Sequence, residues 1–303
     1  MPPSPSARTP PQVPPAAAGP WLAVTPGLFV LLWSTGFIGA KFGMPYAPPF
    51  TFLLLRFIVV TSTLAAAAVI LRAPWPTRRS EYARLAVVGL CIHGGYLGGV
   101  FLAISLGVPA GIAALMVSLQ PLATAFISGP YLGERMNRRQ WLGLVLGFAG
   151  VALVVADKLG WREGDLFGVL ASAVALAGIT GGTLYQKRHA TSMNLVTGSC
   201  VQFAAAGVAM LPLALLVEQR PVEWTGSFVF ALLWLSFVLS LGAMTLFHLM
   251  IRRGAAARVA SLFYLTPAVT AVFAWLLFGE TLSVPAILGL VVATIGVGLV
   301  SRA

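Results

Sequence analysis

Charge is what this sequence has least of. Only 9% of its 303 residues are Asp, Glu, Lys or Arg, against roughly a quarter in soluble domains. A water-soluble chain of this length covers its surface with polar groups, and there are too few of them here. Acidic residues number eight, histidines three and cysteines two. The histidines are scattered over distant apolar runs, a poor arrangement for a metal site. No paired carboxylates and no nucleophile beside a base stand in the sequence, so no catalytic residues, metal or cofactor are expected and an enzyme is disfavoured. Cys91 and Cys200 lie inside apolar runs as small packing residues and carry no information about redox compartment.

What is abundant is apolar sequence. Hydrophobic residues make up 58% of the chain, in recurring stretches longer than about 18 residues, each enough to cross a hydrocarbon core of about 30 Å. The net charge of +11 falls in the short connections between these stretches. It therefore reads as membrane topology and not as a nucleic-acid surface. The first twenty residues hold eight prolines and one charge, Arg8, the composition of a disordered tail. They lack a charged start and a small-residue cleavage site, so the first apolar run is expected to remain as a span.

Ten spans are expected near 21–41, 48–71, 84–106, 109–131, 139–156, 165–186, 194–217, 227–251, 256–278 and 283–301. The connections are short, which makes neighbouring helices antiparallel. Lys and Arg gather in alternate connections, among them Arg72, Arg78, Arg79, Arg84, Arg135, Arg138, Arg139, Lys187, Arg188, Arg252, Arg253 and Arg258. Because cytoplasmic loops carry the basic excess, this predicts both termini inside. Lys41, Lys158, Arg162 and Arg220 fall on the other side, with six of the eight acidic residues.

The sequence also repeats itself at a constant offset of 146 residues. Pro121 aligns with Pro267, Thr124 with Thr270, Gly133-Glu134 with Gly279-Glu280, and Gly143 with Gly289. Without a gap, the same offset pairs Lys41 with Lys187, Thr51 with Thr197, Phe57 with Phe203 and Phe101 with Phe247. Each half then holds five spans, and an odd number inverts the second half. The expected fold is an all-α integral membrane protein of ten transmembrane helices in two inverted five-helix repeats. Its units are a tail at 1–20, a first repeat at 21–156 and a second at 165–303. Inverted halves are the architecture of many secondary transporters, with the substrate held at the midplane.

The halves end in "YLGERMNRRQWLGLVLGFAGVALV" and "LLFGETLSVPAILGLVVATIGVGLV", preceded by "LQPLATAF" and "YLTPAVTAVFAWLL". With "LLWSTGFIGAKFG" and "FTFLLLRF" near the start, this resembles the drug/metabolite transporter superfamily, in its EamA-like branch, over residues 21 to 303. The resemblance implies two EamA-like units, cytoplasmic termini, and export or exchange of amino acids or related metabolites across the cytoplasmic membrane.

Polar groups within spans are costly and each needs a reason. Arg56, about two turns inside the second span, reads either as a guanidinium holding a substrate carboxylate or as a side chain snorkelling to headgroups. Its partner at the repeat offset is Gln202. His93, near the middle of the third span, is a candidate proton carrier or a hydrogen-bonded histidine at a helix interface. Gln120-Pro121 and Thr266-Pro267 occupy matching positions, where proline frees a carbonyl and kinks the helix. Trp33, Tyr96 and Tyr264 are candidate aromatic walls, or packing. Lys41 reads as a helix-end anchor, and Glu134 and Glu280 as parts of tight turns. Gly143-x-x-x-Gly147 allows close helix contact, either in a homodimer or within one chain.

The resulting expectation is a carrier for a small-molecule substrate, exporting an amino acid or derivative by alternating access. The alternatives are a passive facilitator or exchanger without ion coupling and, further off, a membrane enzyme. The bilayer is the expected environment, and no nucleic-acid partner is expected.

Overall fold

The computed structural model describes residues 21–132, 137–158, 165–190, 193–243, 246 and 265–301. The tail at 1–20, Gly133-Glu134, His248 and Tyr264 lie outside the described residues. Within them the chain is helical, with no strand. The helices are α1 (Trp21–Gly43), α2 (Pro49–Ile70), α3 (Arg79–Ser105), α4 (Ala110–Ser118), α5 (Gln120–Leu132) and α6 (Arg138–Lys158). There follow α7 (Asp165–His189), α8 (Leu195–Leu216), α9 (Gly226–Ala243), α10 (Thr266–Phe278) and α11 (Val284–Ser301).

Sequences this apolar form helices because hydrocarbon offers backbone N–H and C=O groups no partner except each other. Five stretches among the described residues are long and apolar enough to cross a membrane: α2, α3, Leu166–His189 of α7, α8 and α9. Shorter apolar helices run over Gly27–Gly43, Ala110–Thr124, Thr266–Phe278 and Val284–Gly296.

The helix ends are closed by side chains. Asn194 accepts from the Val196 and Thr197 amides at the start of α8, at 3.0 and 3.3 Å. At the start of α2 the equivalent position is Pro48, which has no acceptor side chain. There Glu218 reaches in from the α8–α9 connection and accepts from the Phe50 and Thr51 amides, each at 2.7 Å. A carboxylate at a helix N-terminus also meets the positive end of the helix dipole.

Two helices are locally underwound and widened. Leu90–Leu97 in α3 and Trp234–Ala243 in α9 are π-helical. Positions 90–97 moved by the repeat offset give 236–243, so both halves carry the same irregularity at matching places. Such widened turns are rare and recur at functional sites.

Helices that correspond across the repeat pack against each other. On α2 and α8, the rings of Phe57 and Phe203 lie 5.7 Å apart, and the Cys200 thiol donates to the Thr61 carbonyl at 3.7 Å. On α6 and α11, Gly150 abuts Gly289 and Ala293, while Gly296 abuts Gly143 and Gly147. Residue numbers rise on one helix as they fall on the other, so both pairs are antiparallel. The Gly143-x-x-x-Gly147 face is therefore occupied inside the chain.

A second cluster fills the space between α1, α2, α3 and α9. Phe52, fully buried, lies 5.3 Å from Phe101 and 5.0 Å from Phe228, within the separations at which aromatic pairs attract. Outward faces are apolar as well. Val145 and Phe148 on α6 and Val208 and Leu215 on α8 are exposed, which suits contact with acyl chains.

Replacing Gly150 by valine drives a side chain into the backbone of α11. Overpacking of this kind costs roughly 1–3 kcal/mol or more. Gly298→Ala, on the same helix but with open space around it, is expected to be neutral. Thermal unfolding of the detergent-purified protein checks this: a clear fall in Tm for Gly150→Val and none for Gly298→Ala. Equal Tm values for the two would refute the close contact.

Candidate functional site

Where the two halves meet, a small cavity of about 20 Å³ opens between α1, α3, α4, α5, α7 and α10. Trp33, Tyr96, Gln120, Pro121, Ile179 and Thr266 are on its wall. Trp33 and Ile179 are 146 residues apart, and so are Gln120 and Thr266. Equivalent residues from both halves thus face one space. Its volume is that of about one water molecule.

The wall is made where helices break. α4 ends at Ser118 and α5 begins at Gln120, with Pro121 in its first turn. Pro267 stands likewise in the first turn of α10. Proline fits there because the first amides of a helix have no intrahelical acceptor. The Gln120 amide donates to Thr183 Oγ1 on α7 at 3.1 Å, and Ser34 Oγ donates to the Thr266 carbonyl at 3.4 Å. The Thr266 and Thr270 hydroxyls are buried and have no hydrogen-bond partner among the described residues.

Arg56 is not on the cavity wall. It sits beside Tyr96, which is, and it is only 5% exposed. Its Nη2 donates to Ser240 Oγ at 3.0 Å, and Ser240 passes its own proton to the Leu235 carbonyl at 3.1 Å. That second bond spans five residues, a reach that the π-helical stretch of α9 provides. Arg56 Nε has no hydrogen-bond partner among the described residues. Among the described residues no carboxylate pairs with this guanidinium; the ion pair found there is Lys41 with Glu280.

His93 lies in the same neighbourhood, stacked on Phe203 with ring centroids 3.8 Å apart and 6.2 Å from Phe57. Its side chain hydrogen-bonds with Gln202, whose Nε2 also donates to Met193 Sδ at 3.3 Å. The structure thus brings Arg56, His93, Tyr96 and Gln202 into one cluster and joins it through Tyr96 to Trp33 and Gln120. Tyr264 lies outside the described residues.

A larger cavity of about 440 Å³ opens at one end of the bundle, lined by Lys41, Pro48, Ser105, Glu218 and Arg220 among others. Lys41 pairs there with Glu280 across the two halves, and its ammonium lies 5.0 Å from the centre of the Phe278 ring. Gly279 explains the turn. Its φ of 65° ends α10 in the left-handed region, and Glu280 N–H returns to the Ala274 carbonyl at 3.3 Å. Glycine tolerates this φ without strain, and the returning bond is that of a Schellman turn. The Gly279-Glu280 pair is therefore a helix stop that presents a carboxylate, a role in which the sequence alone offered no partner.

Sequence reasoning missed Ser240 and Phe203. Ser240 is one of a few hydroxyls in an apolar run, and the need of any polar group in a span for a partner was the only signal. Phe203 was visible as the repeat mate of Phe57 but not as a surface for His93.

Comparison with known proteins gives the geometry its context. The profile of the EamA-like transporter family matches residues 21–156 and again 166–302. The uncharacterized transporter YvbV of Bacillus subtilis is 27% identical over 282 residues, covering 90% of this chain and 88% of that protein. The "Probable amino-acid metabolite efflux pump" of Escherichia coli K12 is 27% identical over 279 residues, covering 89% of this chain and 91% of the relative. A crystal structure 22% identical in sequence superposes with a TM-score of 0.64 over 92% of this chain, a likeness of fold. Matched along both of its halves, the chain belongs to the EamA-like transporter family and is a multi-pass membrane transporter.

Proposed function

We propose that this transporter is a secondary carrier that exports an amino acid or an amino-acid derivative through alternating access, with Arg56 gripping the substrate carboxylate. The observation that carries this is the guanidinium itself: buried, with a free Nε and no acidic partner among the described residues. A buried charge is expensive unless paired, and a carrier whose cargo supplies the missing partner gains a site that is most stable when loaded. Carboxylate and guanidinium match in a fork of two parallel hydrogen bonds. The relatives named as amino-acid metabolite efflux pumps support the cargo class and the direction.

The proposed frame is ten spans in two inverted halves, with both termini in the cytoplasm of a cell whose inner membrane holds the protein. Antiparallel contact between equivalent helices, α2 with α8 and α6 with α11, supports it. Helices related by an axis along the membrane normal would run parallel instead. In that frame the 440 Å³ cavity is the outer mouth and the Lys41–Glu280 pair lies beneath it. Opening to the outside parts that pair, since it ties α1 of one half to the end of α10 in the other.

A second reading, a facilitator or exchanger without ion coupling, is favoured by the positions of the acidic residues, none of which lies deep in a helix. Counterflow into proteoliposomes separates the two. A pH gradient that drives accumulation assigns a coupled carrier; flux stimulated only by internal substrate assigns an exchanger. If the gradient drives the wild type but not His93→Gln, the proton passes through His93.

Arg56→Gln is expected to abolish transport while inserting normally, and unchanged transport by this variant refutes the anchor. Ser240→Ala removes one hydrogen bond to the charged group, expected to weaken substrate binding about tenfold, roughly 1.4 kcal/mol. Lys41→Glu alone is expected to impair transport. Restoring the pair in reverse, as Lys41→Glu with Glu280→Lys, is expected to recover most of it. A double variant as poor as the single one would mean that the pair is not what joins the halves.

A further inference from the structure

The charge distribution around Arg56 says more about the cargo than that it carries a carboxylate. We infer that the preferred substrate is a monoanion without a free ammonium group, such as a 2-oxo acid or an N-acylated amino acid, and not the zwitterionic amino acid itself. This rests on the reading of Arg56 as the substrate anchor.

The chain has eight acidic residues, and their positions account for all of its negative side chains. Glu81 is in the first turn of α3, Asp157 in the last turn of α6, and Asp165 starts α7. Glu218, Glu223 and Glu280 fall between helices, and Glu134 and Glu163 lie outside the described residues. Two of these carboxylates are already engaged, Glu218 by the amides that open α2 and Glu280 by Lys41. Among the described residues none stands at the level of Arg56, two turns into α2. The site therefore holds one formal positive charge that the described residues do not balance.

A loaded site is neutral when the cargo is a monoanion. With a zwitterion it keeps its positive charge, and the second charge of the ligand sits badly. An α-ammonium is fixed one carbon away from its carboxylate, so wherever the carboxylate meets Arg56, the ammonium comes within a few ångströms of the same guanidinium. In water that repulsion is small; in a buried site of low effective dielectric it is several times larger. The groups recorded beside Arg56 are the Ser240 hydroxyl, His93 and Tyr96. None of them is an anion that would answer an ammonium. The Ser240 hydroxyl already donates to Leu235 while accepting from Arg56. An acyl or oxo oxygen in place of the ammonium removes the repulsion. In a conformation that opens the neighbouring cavity, the apolar remainder meets its Trp33, Phe37 and Ile179 side.

The test uses the purified full-length protein and matched trios: L-leucine with N-acetyl-L-leucine and 4-methyl-2-oxopentanoate, and L-phenylalanine with N-acetyl-L-phenylalanine and phenylpyruvate. The readout is the ligand concentration that raises Tm, in the wild type, Arg56→Gln and Arg56→Lys. The anionic members of a trio are expected to act at concentrations about tenfold or more below the parent amino acid. Arg56→Gln is expected to level that difference, and Arg56→Lys, which keeps the charge, to retain it. If the parent amino acid stabilises as well as its anionic analogues and loses its effect in Arg56→Gln, this inference is overturned while Arg56 stands as anchor. If ligands stabilise the wild type and a folded Arg56→Gln alike, both readings fall. An Arg56→Lys protein without the preference, or a wild type that no anionic member stabilises at millimolar concentration, also overturns it.

Discussion

In hydrocarbon no water is at hand to take a hydrogen bond, and everything in this structure follows from that. Most of the described chain is helical because the helix pairs its own backbone. Side chains close the helix ends where the pairing runs out, through Asn194 for α8 and, from another connection, Glu218 for α2. The same constraint decides where polarity can be tolerated inside. Breaks after Ser118 and before Thr266, and the two π-helical stretches, are the irregular places. Trp33, Tyr96, Gln120, Arg56 and His93 all gather around them.

Duplication supplied two scaffolds, but the polar cluster is single. The position matching Arg56 is Gln202, that of Ser240 is Gly94, and that of His93 is Leu239. Arg56 reaches from α2 to the π-helical stretch of α9, and Gln202 from α8 to that of α3, so the two contacts correspond. Only one of them carries a charge. Symmetry thus builds the frame, and its violation places a charge on one side of it.

Much of this was legible beforehand because two signals are local in the sequence: apolar length and the fixed offset between halves. The helices at 49–70, 138–158, 165–189, 195–216 and 284–301 lie within a few residues of expected spans. The span expected at 109–131 is broken after Ser118, and the offset already paired Gln120 with Thr266, both on the cavity wall. What could not be read depends on rotation about helix axes. Arg56 in an apolar run is equally compatible with headgroups and with the interior until the neighbours of α2 are known. Gly143 and Gly147 suited either a second chain or α11, and only the partner helix distinguishes these. The π-helical stretches leave little trace beyond the glycines near them, since an extra residue per turn is set by tertiary contact and not by propensity.

The glycine contact between α6 and α11 has a consequence for biosynthesis. α6 is made well before the helix that covers its glycine face, which lies 146 residues further along the chain. Until then, bare backbone on α6 faces lipid or whichever helix is nearest. Completion of the bundle is therefore a late, long-range event, and a chain truncated before α11 would leave that surface open to other membrane proteins and to quality-control proteases.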